Sequence, residues 1–228
     1  MNMPYADLMT LLAGLAGVLI IASLAGFILQ KRLSPDGSNA VIENLNDRIW
    51  AWWAMVILVC VDGTVFASLV FAHVHVSMAA EVCPPPGASL PHWGWSVASA
   101  ALLLAGSAAM AGSQAMLGKV RKTGVWLLVL LAMPCLLAAF GLDGWGHHLA
   151  GLRPTVNAWS ATVAALLAWQ GFHVAVLAVM GGYVCARSWA GRLRGDARSS
   201  LDNTVVLWHY VTGQGLAGMG IIYLMPVI

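Results

Sequence analysis

Charge is what this chain has least of: only 9% of its 228 residues are Asp, Glu, Lys or Arg, against about 25% in soluble domains. A formal net charge of +2, with no basic stripe interleaved with aromatics, excludes nucleic acid as a partner. Cysteine is scarce as well. Cys60, Cys135 and Cys185 fall within or at the ends of apolar stretches, where Cys acts as a small hydrophobe, and Cys83 stands alone in a loop. No CxxC pair occurs, so neither a metal motif nor a disulfide framework is indicated. Gly-rich phosphate loops, a GxSxG elbow and an HExxH helix are missing. There is no nucleophile beside a base and no pair of carboxylates on one helical face, so nothing marks a self-contained catalytic centre. Strict two-residue alternation is absent, which excludes a membrane barrel. The two halves show no similarity of the kind found in inverted-repeat transporters.

What the chain has instead is apolar length. Hydrophobic residues make up 60% and the mean hydropathy is +0.81. Six stretches approach or exceed the roughly 20 residues needed to cross a hydrocarbon core: residues 8–30, 50–77, 93–117, 124–142, 156–186 and 205–228. Helix is the expected form, because a lipid-exposed backbone must satisfy its own hydrogen bonds. The expected architecture is an all-α bundle of six transmembrane helices. Residues 1–33 form an N-terminal anchor helix, 34–49 a cytoplasmic polar linker, and 50–228 a five-helix membrane domain. The first stretch is read as a retained anchor and not a signal peptide, since its positive residues follow the apolar run.

Topology follows from the basic residues. Lys31, Arg32 and Arg48 lie between the first and second stretches; Lys119, Arg121 and Lys122 between the third and fourth; and Arg187, Arg192, Arg194 and Arg198 between the fifth and sixth. Arg153 alone of the eleven basic residues lies in an opposite loop. The positive-inside rule puts those three loops in the cytoplasm and both termini on the outer, periplasmic side. Trp50, Trp52, Trp53, Trp93, Trp95, Trp126, Trp145 and Trp189 near the ends of the stretches suit interfacial anchoring.

Few polar groups interrupt this background. Asp62 lies about twelve residues into the second stretch, roughly 18 Å along a helix axis. A carboxylate at such depth costs at least ~2.5 kcal/mol, so it should be protonated, paired or wetted. Two readings stand beside each other, a packing contact with a neighbouring helix and a member of a proton or interface network. His173 falls near the middle of the fifth stretch and His209 a turn or two into the sixth. Their depths differ by roughly 10 Å at helical rise, which argues against a bis-histidine haem between them. A second group, His73, His75, His92, Asp143, His147 and His148, collects at the outer face. Imidazole and carboxylate suit Zn or Cu(II), but His73 and His75 diverge by about 200° on a helix, as neighbouring His147 and His148 also diverge.

Several of these residues sit in motifs that resemble subunit III of the haem-copper cytochrome oxidases. The run from Trp52 through Asp62 to His75, followed by Cys83-Pro84-Pro85-Pro86, resembles that family's acid-bearing helix and the loop after it. The Ser-, Ala- and Gly-rich run 95–117 is similar to the next helix. Gln170-Gly171-Phe172-His173-Val174 resembles its Gly-x-His-Val helix, and Trp208-His209-Tyr210 its last-helix Trp-His-aromatic signature. Gly151-Leu152-Arg153-Pro154-Thr155, Asp202-Asn203-Thr204 and Gln214-Gly215-Leu216 look most like the subunit III part of bacterial oxidases in which subunits I and III are fused. The likeness spans about residues 50–228. It departs from the family at Asp62, where Glu is usual, at Gln170, which stands where an earlier family histidine would, and in having six helices instead of seven.

The resemblance implies a non-catalytic core subunit of a respiratory terminal oxidase in the bacterial inner membrane. Such a subunit carries no cofactor of its own, with haem and copper in the partner subunits I and II, and contacts cytochrome c or quinol only through the complex. It implies bound phospholipid and support of proton uptake. Asp62, His173 and His209 would be interior polar or proton-linked contacts, and Trp52, Trp53, Gln170, Trp208 and Tyr210 lipid or interface contacts. The alternatives are an accessory subunit of a nitric oxide reductase, and an independent metal-binding or transporter-like membrane protein using His73, His75, Asp143, His147 and His148.

Overall fold

The computed structural model describes residues 45–117, 122–193 and 198–224, and among them every regular element is an α-helix. These are α1 (Leu45–Ala79), α2 (Trp93–Leu117), α3 (Lys122–Leu149), α4 (Ala158–Trp189) and α5 (Ser199–Leu224). All five are long and apolar enough to cross a membrane, so the chain has the build of a multi-pass membrane protein. The anchor expected over residues 8–30, and the linker as far as residue 44, lie outside the described residues.

Three boundaries differ most from those expected. The linker expected to reach residue 49 ends earlier, since α1 already begins at Leu45. The fourth stretch, expected to stop at residue 142, continues as α3 to Leu149 and takes Asp143, His147 and His148 into the helix. The sixth begins at Ser199, so Asp202 belongs to the first turn of α5. The reason is common to all three. Hydropathy marks where a helix meets lipid, whereas a helix continues into polar territory as long as its backbone bonds and caps are satisfied.

The caps are visible. Asn157 Oδ1 accepts the Ser160 amide at 2.8 Å, which starts α4. At the end of α3, the Leu152 amide bonds to the His147 carbonyl at 3.1 Å and the Gly151 amide to the His148 carbonyl at 3.0 Å. The same pair of bonds closes α4, from Arg192 to Arg187 and from Gly191 to Ser188. Both ends require a left-handed residue, supplied by Gly151 (φ 75°) and Gly191 (φ 68°). Pro134 sits inside α3, where it cannot donate to the Leu130 carbonyl.

Packing divides the described residues into two compact units. One takes the described residues up to Val56 with those of Gly106–Pro134 and Ala175–Trp208. Its helices approach closely at Gly181, where an added Cβ would come within 2.5 Å of Met133 Sδ and 3.4 Å of Trp208 Cζ3. The other comprises Ile57–Ala105, Cys135–Val174 and the described residues from His209 on. Its core is Leu152, Trp159, Val163, Leu166, Leu167 and Ile222, with Phe66, Leu69 and Val70 of α1 laid against them. Buried Ser99 donates to the Ala139 carbonyl at 2.7 Å, a polar link between α2 and α3 of the kind that holds membrane helices together. Among the described residues the apolar window of α1 is only 6% buried against 56% for α5.

Candidate functional site

In the second unit three helices bring one polar side chain each to a single point. Asp62 lies on the stripe of α1 that turns inward, in register with Phe66, Leu69 and His73 at helical spacing. Its Oδ1 lies 3.0 Å from His173 Nε2 of α4, and its Oδ2 accepts the Tyr210 hydroxyl of α5 at 2.6 Å. His173 Nδ1 bonds to the Trp169 carbonyl one turn back at 2.9 Å. The imidazole is ringed by aromatics, with Trp169 and Phe172 both 5.2 Å away in edge-to-face contact. A Cβ at Gly63 would lie 3.9 Å from the Tyr210 hydroxyl, an ordinary contact distance between α1 and α5.

The partners determine where the protons are. A peptide carbonyl only accepts, so His173 Nδ1 carries a hydrogen. One further proton is then shared between Nε2 and Asp62 Oδ1, either on the carboxyl of a neutral pair or on the imidazole of an ion pair. Tyr210 donates to Oδ2 in both states. The His173 side chain is 5% exposed and that of Asp62 17%, so water screens this exchange little. With both ring nitrogens engaged, His173 in this arrangement offers none to a metal.

His209, expected as an interior contact with these residues, is not among them. It lies on the exposed face of α5, because successive residues turn by about 100° on a helix and its neighbours Trp208 and Tyr210 point inward. Trp208 and Gln170, expected as lipid or interface contacts, are buried within the chain. Trp208 packs beside Gly181, and Gln170 Nε2 donates to the Val211 carbonyl at 3.4 Å. Tyr210, half-buried, belongs to the Asp62 cluster. Trp52 and Trp53 are exposed and stand edge to face at 5.1 Å.

The outer histidines disperse. His73 Nδ1 meets Thr162 Oγ1 at 2.9 Å, and that hydroxyl donates to the Trp159 carbonyl; His73 must therefore be the donor to Thr162. His75 stacks on Phe71 at 6.3 Å and His148 lies 5.5 Å from Trp145. Of the group, Asp143 and His147 alone come together, at 4.0 Å across one turn of α3. Among the described residues no three His, Cys, Asp or Glu side chains form a metal-holding group.

The first unit has a polar node of its own, built on the Asp202-Asn203-Thr204 motif. Asp202 takes Arg198 Nε at 2.8 Å and Nη2 at 2.9 Å, accepts Gln114 Nε2 at 2.8 Å, and lies 3.8 Å from Arg48. Arg198 precedes the membrane-spanning part of α5, and the hydrogen bond to Asp202 holds its guanidinium above the ordinary arginine range. Asn203 Nδ2 donates to the Ala51 carbonyl at 3.1 Å. An open groove of about 300 Å³, lined by Arg48, Trp52, Trp53 and Asn203 among others, runs beside this node.

Rarity, depth and the motifs that carry them marked Asp62 and His173 in advance, but not their pairing. Asp62 and His173 are 111 residues apart and Asp62 and Tyr210 are 148 apart, so no local spacing could pair them. Compared with protein-family models and with curated proteins, the chain matches none.

Proposed function

We propose that this chain is a non-catalytic, subunit III-like core component of a haem-copper terminal oxidase of a bacterial inner membrane, the complex that reduces oxygen to water with proton translocation. One observation carries the reading. Three separate stretches that resemble the subunit III family, Trp52 to His75, Gln170 to Val174 and Trp208 to Tyr210, each contribute one member of the Asp62–His173–Tyr210 cluster. Convergence of the three stretches on one point is what the family reading expects, alongside the general need of a deep carboxylate for partners. A fourth, Asp202-Asn203-Thr204, supplies the Asp202 node.

In this reading the chain has six transmembrane helices with both termini outside, the anchor over residues 8–30 preceding α1. The end bearing Arg48, Arg187 and Arg198 faces the cytoplasm. Haem and copper belong to subunits I and II, which receive electrons from cytochrome c or quinol. The chain stabilises subunit I, and its Asp62 cluster is a protonatable contact supporting proton uptake. The groove beside Trp52 and Trp53 suits a phospholipid, with apolar walls for acyl chain and Arg48 for the phosphate.

The test is purification of the chain at native expression level in a gentle detergent, with a reduced-minus-oxidised optical spectrum and identification of companion chains by mass. Haem and copper should arrive with two larger oxidase subunits and leave when this chain is separated from them. Companions and haem types of a nitric oxide reductase would move the chain to that complex. Isolation alone, or with a metal retained by the chain itself and lost on replacing His147 and His148 with Ala, would overturn the oxidase reading.

A further inference from the structure

One helical turn from the Asp62 cluster, the second unit has a small, partly open cavity whose mostly apolar wall carries three polar side chains. Phe66 follows Asp62 by four residues, Gln170 precedes His173 by three and Gln214 follows Tyr210 by four, so the same faces of α1, α4 and α5 continue into its wall. Asp143 of α3 completes it. The cavity measures about 20 Å³, room for roughly one water molecule.

Its polar wall is unusually exacting. Asp143, Gln170 and Gln214 are at most 9% exposed. Yet no described protein group hydrogen-bonds to Asp143 Oδ1, Gln170 Oε1, or either end of the Gln214 amide. The orientation of Gln170 is determined by its neighbour: the Val211 carbonyl only accepts, so Nε2 faces it and Oε1 is the end left without a protein partner. Buried polar atoms are nearly always satisfied, and a single water is suited to these. It donates to two of the oxygens and accepts from the Gln214 amide, the three bonds that a buried water typically makes.

Glycine leaves the room. Gly218 is buried and lines the cavity, and a Cβ there would meet nothing within 4 Å. At Gly215 a Cβ would come within 2.8 Å of Gln170 Nε2 and force the amide aside. We infer that this cavity is a binding site for one ordered water bridging Asp143, Gln170 and Gln214, a hydrated step beside the Asp62–His173–Tyr210 cluster. The inference concerns the interior of this chain and holds whatever complex the chain joins.

Thermal unfolding of the full chain in detergent, followed by its tryptophan fluorescence, tests it. In a dry cavity Gly218→Ala fills space and removes a helix-weakening glycine, raising the midpoint by about 2–4 °C. In a hydrated one the methyl expels the water and strands the polar wall. The expected result is a fall of about 2–4 °C, and a rise or no change overturns the inference. Gln214→Met serves if Gly218→Ala does not accumulate. In a dry cavity losing that unmatched amide raises the midpoint; with a bridging water it lowers it. The two substitutions combined should fall no further than the larger single one, since both remove the same water; additive falls overturn the shared site. Exchange of choline for sodium chloride at constant ionic strength should leave the midpoint unchanged, and a rise specific to sodium would make the occupant a cation.

Discussion

Removing the Asp62 carboxylate is the sharpest perturbation available. Asp62→Ala deletes both acceptors at once, leaving His173 Nε2 at 5% side-chain exposure and the Tyr210 hydroxyl without their partner. Interhelical hydrogen bonds in membrane proteins average about 0.6 kcal/mol and reach about 1.7, so two of them give roughly 1–3 kcal/mol. A buried group left unsatisfied lies in the same range, and ~2 kcal/mol is the working figure. For a chain of this length that lowers the unfolding midpoint by about 4–8 °C. Asp62→Asn separates shape from charge. With His173 Nδ1 bonded to the Trp169 carbonyl, an asparagine can donate its amide to Nε2 and still accept from Tyr210, so its loss should stay under about 1 kcal/mol. Tryptophan fluorescence on heating reads both variants, and a double-mutant cycle of Asp62→Ala with His173→Ala should return a coupling of about 1 kcal/mol. An Asp62→Ala protein as stable as the parent, or a coupling of zero, would refute the three-helix cluster.

Three further expectations concern other parts of the chain. Asp202→Ala should lower stability by about 1–2 kcal/mol, because it removes a two-pronged Arg198 contact and the Gln114 bond. Arg48→Ala breaks only a 3.8 Å approach and should cost under about 1 kcal/mol; equal effects would show that the node is wrongly drawn. Gly171→Ala drives a Cβ to within 2.7 Å of Phe140 Cζ and should cost about 1–3 kcal/mol. At Gly182 a Cβ meets nothing within 4 Å, so Gly182→Ala should be neutral or stabilising by up to ~1 kcal/mol; the reverse order in unfolding midpoints would contradict the described α3–α4 packing.

Much of the architecture was legible in the chain. Hydropathy alone located α1 to α5, with the run at 93–117 matching α2 end to end, because a lipid-crossing helix must be apolar along most of its length. The rarity of charge made Asp62 and His173 stand out, since each is costly in such surroundings. Helix ends were less legible: α3 continues past residue 142 and α5 begins before 205, because caps and polar neighbours extend a helix without any hydropathy signal.

Partners were decided by tertiary structure alone. In a chain this apolar, side chains facing lipid and those facing another helix have the same character. Sequence therefore could not tell exposed Trp53 from buried Trp208, or inward Tyr210 from outward His209. Rotation about the helix axis, with close packing at Gly171 and Gly181, chooses between them. That rotation turned three isolated polar residues into one hydrogen-bonded site and scattered the outer histidines that composition had grouped together.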